Sequence, residues 1–125
     1  MGLKLFLDNN AIISLLKNED DLLGLVSKSS SVHISVISEL EFLSFSGLTT
    51  NDINLFRKFI KRISVIDLKQ SDLKLINKIT EVRKNYHLKL PDAIIVASAI
   101  ITNSTLISRD KELSKVKEVK LSDWK

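Results

Sequence analysis

The sequence predicts an α/β fold, a three-layer α/β/α sandwich around a mostly parallel central sheet. Three observations carry that expectation. Short apolar runs alternate with amphipathic segments along the whole chain, the pattern of strand–helix units. Residues 93–101 are almost wholly apolar, as in a helix buried on every side. Four acidic residues, Asp8, Glu41, Asp92 and Asp110, stand where apolar segments meet helices or turns. Functional groups of open α/β sheets gather beyond the strand C-termini.

The elements follow in order. Leu3 to Leu7 reads as a short strand, apolar except for Lys4. Asn9 to Lys17 turns helical through Ile12, Leu15 and Leu16. Asp20 to Lys28 forms a second helix, and Ser29-Ser30-Ser31 a loop. Val32 to Val36 is a second strand, running into a helix through Phe45 that Gly47 ends. Thr49 or Thr50 caps a helix containing Phe56, Phe59 and Ile60. Ile63 to Ile66 is a third strand, and Ser71 starts a long helix through Val82. Pro91 opens the apolar helix, since proline suits a first helical turn. Thr105 to Ile107 is a fourth strand, Val116 to Leu121 a fifth, and Trp124 anchors the segment beyond.

At 125 residues the chain is expected to form one domain, 1–125, with a self-sufficient core. It has no cysteine, which excludes disulfide scaffolds and thiolate metal sites. The longest apolar run is far short of the roughly 20 residues of a membrane span. Met1 to Asp8 carries too short an apolar stretch for a signal peptide. The expectation is a soluble, cytoplasmic protein with no membrane partner. A net charge of +4 suits a polyanionic partner such as nucleic acid. Basic residues group at Arg57, Lys58, Lys61 and Arg62, and at Lys111, Lys115, Lys117 and Lys120. Their ordinary role is a solvated face.

Each acid also has an ordinary role. Asp8 can cap the helix that follows it, and Asp110 can close a turn. Asp92 suits the positive end of a helix dipole, but the buried helix it leads keeps its charge near the interior, where compensation is needed. Helical geometry does not choose between Glu39 and Glu41, which flank the apolar stripe on opposite sides. Converging carboxylates without partner cations repel one another, and a hard divalent cation, Mg²⁺ or Mn²⁺, would resolve the repulsion. His33 and His87 have no metal-ligand spacing, and neither a Gly-rich phosphate loop nor a nucleophile elbow is present.

Four segments in order resemble one family, the PIN domain, and most closely its VapC-type toxin ribonucleases. Leu5-Phe6-Leu7-Asp8-Asn9-Asn10 resembles the first acidic segment and Ser35-Val36-Ile37-Ser38-Glu39-Leu40-Glu41 the second. Leu88-Lys89-Leu90-Pro91-Asp92-Ala93 is the most specific match, and Thr105-Leu106-Ile107-Ser108-Arg109-Asp110 resembles the fourth. This register selects Glu41 over Glu39. The family usually has a hydroxyl at Asn9 and threonine at Ser108. The resemblance implies divalent-metal-dependent RNA cleavage, with Asp8, Glu41, Asp92 and Asp110 as catalytic and metal-ligating residues. Asn10 and Ser108 would orient them. It also implies a homodimer, a cognate antitoxin covering the site, and Mg²⁺ or Mn²⁺ as cofactor. Two other readings differ in class. A PIN-like domain could bind RNA or protein without cutting. A phosphoacceptor receiver domain would need an acidic pair after the first strand, which Asp8-Asn9-Asn10 lacks.

Overall fold

The structure is a computed structural model and describes residues 2–124. Leu3–Leu7 forms β1. Successive strand side chains alternate in direction. Leu5 and Leu7 accordingly join one apolar cluster and Phe6 the other. All three are fully buried, so β1 is covered on both faces, as the centre of a parallel sheet requires. Asn9–Leu16 (α1) and Asp20–Lys28 (α2) lead to Ser29–Ser35 (β2). Val36–Leu43 (α3) and Thr50–Ile60 (α4) lead to Ser64–Ile66 (β3). Leu73–Tyr86 (α5) and Leu90–Ile101 (α6) precede Thr105–Ile107 (β4). A 3₁₀ turn at Lys111–Lys115 separates β4 from Lys120–Ser122 (β5).

All five strands are parallel, in the order β3-β2-β1-β4-β5. The chain steps outward from β1 to β3, then jumps back across β1 to β4. Parallel crossovers are almost always right-handed. Reversing the direction of travel therefore moves the connecting helices to the opposite face. Helices α1 to α4 share one core with Leu5, Leu7, Ile34 and Ile107. Helices α5 and α6 share the other with Phe6 and Leu106. This is the α/β/α sandwich expected. No helix among the described residues is long and apolar enough to cross a membrane.

Helix α6 is buried from Ala93 through Ala99, and Ser98 satisfies its hydroxyl by donating to the Ile94 carbonyl at 2.7 Å. Each large apolar side chain buried here contributes about 1.5–3 kcal/mol. Helix α4 starts with a full capping box, Thr49 and Asp52 each accepting from the other's backbone N–H.

Several boundaries differ from the sequence reading, among them Val36, expected in the second strand, which opens α3. The serine run 29–31 lies in β2 rather than a loop, because β1 supplies pairing partners, Leu3 to Ser29 and Lys4 to Ser31. Helix α3 ends at Leu43, four residues before Gly47, and the Ser44 hydroxyl donates to the Leu40 carbonyl at 2.6 Å. Gly47 instead serves a loop position at φ +83°. The fifth strand is shorter and later than 116–121, set by its pairing with β4. The 3₁₀ turn at 111–115 had no periodic signal in the sequence.

Candidate active site

The sheet topology gathers the four acids. Asp8 follows β1, the middle strand, and Asp110 follows β4, its neighbour. Glu41 rides on α3, which leaves the end of β2, and Asp92 sits in the first turn of α6.

Asp8 is the most enclosed of them, at 7% exposure. Its two oxygens have different tasks. Oδ1 accepts from the Asn9 backbone N–H at 2.7 Å, capping α1. Oδ2 accepts from the Ser108 hydroxyl at 2.7 Å and, more distantly, from the Asn10 amide at 3.5 Å. The Ser108 hydroxyl oxygen also accepts from the Asp110 backbone N–H at 3.0 Å. One buried serine thus ties the first acidic segment to the fourth. The expected capping role of Asp8 is real and uses Oδ1, while Oδ2 is held by the segment that carries Asp110. Asp110 likewise caps the 3₁₀ turn, with Oδ1 accepting from the Glu112 N–H at 3.0 Å.

Glu41 accepts at Oε1 from the Asn9 side-chain amide at 2.8 Å. The residue that departs from the family's usual hydroxyl therefore holds the second acid. Asn9 Oδ1 is buried without a partner among the described residues, as is the Ser38 hydroxyl on the same helix as Glu41. Glu39 makes no hydrogen bond or ion pair among the described residues, and it is absent from the charges acting on Asp92. Glu41→Gln is expected to reduce activity far more than Glu39→Gln. Parallel kinetics of the two variants check this, and the reverse ranking would overturn the register of the second segment.

Asp92 accepts no hydrogen bond among the described residues. Burial pushes its carboxyl above the ordinary carboxylate value, and the charges of Asp8, Asp110 and Glu41 push it further. The Lys89 ammonium pulls it partly back. Asp92 is thus within electrostatic reach of the other three carboxylates. Asp92 and Asp110 line an open cleft with His87, Leu88, Lys89, Glu112 and Lys115. From the sequence, His87 is expected only to complement a helix end after Tyr86, and Lys89 carries no role of its own. His87 ends α5 in the left-handed conformation, φ 54°, which turns the chain into the cleft.

The donor set is all oxygen, which suits a hard divalent cation. Among the described residues, however, no three His, Cys, Asp or Glu side chains are drawn close enough to form a ready-made cage. These facts are compatible for Mg²⁺, which keeps several waters and uses one or two carboxylates together with substrate phosphate. The charge around Asp92, only partly offset by Lys89, fits a cation held in that open manner.

The sequence matches the family model described as the PIN domain over residues 5–119. Among curated proteins none matches. Several solved structures are similar over nearly the whole chain. One is VapBC2 from Rickettsia felis bound to a DNA fragment from their promoter, with TM-score 0.83 and 23% identity, covering 98% of this chain and 100% of that one. A toxin-antitoxin complex from Klebsiella pneumoniae gives TM-score 0.75 and 25% identity, covering 92% and 94%. VapBC-1 from nontypeable Haemophilus influenzae gives TM-score 0.79 and 20% identity, covering 98% of each.

Proposed function

We infer the function from one premise, that this chain belongs to the PIN-domain family. We propose that residues 1–125 act as one divalent-metal-dependent endoribonuclease unit, the toxin of a toxin–antitoxin pair. The observation that carries the reading is the convergence of acids from separate segments: Asp92 and Asp110 line one cleft, and burial with the charges of Asp8, Asp110 and Glu41 lifts the Asp92 carboxyl above its ordinary value. The structural relative named as a toxin–antitoxin complex supports the biological role.

In this reading Asp8 and Asp92 would hold Mg²⁺ or Mn²⁺, with Glu41 and Asp110 completing the cluster. Such an ion supplies charge to offset the phosphate and acidity for an attacking water. The chain's own groups do the rest. Ser108 and Asn10 fix Asp8 through its Oδ2. Asn9 fixes Glu41. Lys89 and Lys115 line the cleft and supply cations for backbone phosphates of RNA. Arg57, Lys58, Lys61 and Arg62 cluster around the end of α4, exposed, and offer a further polyanion contact.

The test is cleavage of end-labelled RNA by purified protein with Mg²⁺ or Mn²⁺. Cleavage that EDTA abolishes and added metal restores is expected; undiminished cleavage by metal-free protein would overturn the reading. We further propose a homodimer, and an antitoxin that places an Arg or Lys against the acids, since a partner's cation can offset their charge. Co-purification with the neighbouring gene product should give a stable, inactive complex. Absence of both complex and inhibition would remove the toxin assignment while leaving the nuclease assignment intact.

A further inference from the structure

Arg109 stands between two site residues, Ser108 and Asp110, yet its side chain leads away from the carboxylates. Its guanidinium carbon lies 3.9 Å from the centre of the Trp124 ring, within cation–π range. Its Nε donates to Asp123 Oδ1 at 3.2 Å, and Nη2 is 3.8 Å from Glu19 Oε2. The same Glu19 oxygen accepts from the Trp124 indole N–H at 2.8 Å. Trp124 is only 4% exposed and packs in the core with α1 and α2. The Arg109 backbone N–H points at Asn10 Oδ1 at 3.4 Å, and the Ser108 N–H donates to the Ser122 carbonyl at 3.0 Å. The arginine is thus clamped between the segment after β5 and the corner joining α1 to α2.

We propose that Arg109 is a positioning residue, locked by Trp124, that holds the loop carrying Ser108 and Asp110 in register with Asp8. A guanidinium plane suits this task better than an ammonium, since it can stack on a ring while donating at its edge. The clamp also keeps a cation that is one residue from Asp110 outside the acidic cluster. Release would loosen the loop and free that cation to approach the carboxylates. The catalytic consequence rests on the nuclease reading; the geometric one does not.

The experiment compares wild type with Trp124→Ala, Trp124→Phe, Arg109→Lys and the core control Val82→Ala, all well below their melting temperatures. Val82 is fully buried in the α5–α6 core, so its truncation reports general destabilisation. In Trp124→Ala and Arg109→Lys, amide hydrogen exchange at Ser108, Arg109 and Asp110 is expected to rise at least about tenfold, with that of α6 unchanged. Turnover is expected to fall by about tenfold at nearly constant KM, and Trp124→Phe, which keeps a ring face, should recover most of it. Val82→Ala should lower the melting temperature without either effect. Should Trp124→Ala fail to fold, Arg109→Lys alone supplies both readouts. Wild-type exchange at the three amides in both variants, or equal losses in Val82→Ala, would overturn the proposal. An inactive wild type whose clamp variants still show faster exchange would sink the nuclease reading and leave the clamp standing.

Discussion

Asp8→Asn is expected to lower RNA cleavage by at least about tenfold, equivalent to about 1.4 kcal/mol of transition-state stabilisation. Stability should change little. Asparagine is as good a helix cap as aspartate, so the bond to the Asn9 N–H survives. The Ser108 hydroxyl can rotate to accept where it now donates. Only the charge is lost, and with it the capacity to hold a cation. Asp92→Asn should produce a loss at least as large. Initial rates against metal concentration, read beside melting curves of the same preparations, check both. A variant that melts like wild type and cleaves like it would exclude Asp8 from the site.

The second expected result is a melting temperature that a site mutation preserves or raises. Asp92 is held above its ordinary carboxylate value by burial and by Asp8, Asp110 and Glu41. A carboxyl raised on folding keeps its proton more tightly in the folded state. Its contribution to stability is therefore present below the unfolded value, about pH 4, and is lost as pH rises through the folded value. At neutral pH the ionised side chain is a net cost, which Asp92→Asn removes. Metal-free Asp92→Asn should melt at or above wild type at pH 7, and the difference should shrink toward pH 4. Mn²⁺ at a hundredfold excess over its dissociation constant should stabilise wild type by about 2.7 kcal/mol, on the order of 10 °C for a domain of this size. The variant should show much less of that shift. If Asp92→Asn unfolds the metal-free protein and Mn²⁺ leaves wild type unmoved, Asp92 is a structural helix-start residue and no more.

The legible parts of the sequence were those whose signal is local and dense. The continuous apolar run of α6 and the Leu3–Leu7 strand announce their own burial, and their order with the other runs implies the parallel sandwich. The missed parts take their structure from elsewhere in the chain. Ser29 to Ser31 have no strand periodicity; β1 makes them a strand. The edge strand β5 is defined by β4 rather than by its own residues. In the candidate site the acids were visible because strand ends are predictable places. Asn9 looked like a departure from pattern, and its bond to Glu41 links residues 32 apart that no spacing rule connects. The Arg109 clamp joins an ordinary turn arginine to the chain's single tryptophan. Neither residue signals the other in one dimension.

The bond between Ser108 and Asp8 spans 100 residues, and the strand behind Asp8 pairs with the strand before Ser108. During synthesis, Asp8 waits for the 100 residues that separate it from Ser108. At about 5–20 residues per second the delay is roughly 5–20 s. Until β4 arrives, β1 has one open edge and Asp8 lacks its serine. A nascent or prematurely released fragment therefore carries up to three of the acids and no assembled centre. Under the proposed nuclease reading, topology postpones assembly of the centre until the fourth acidic segment has been made.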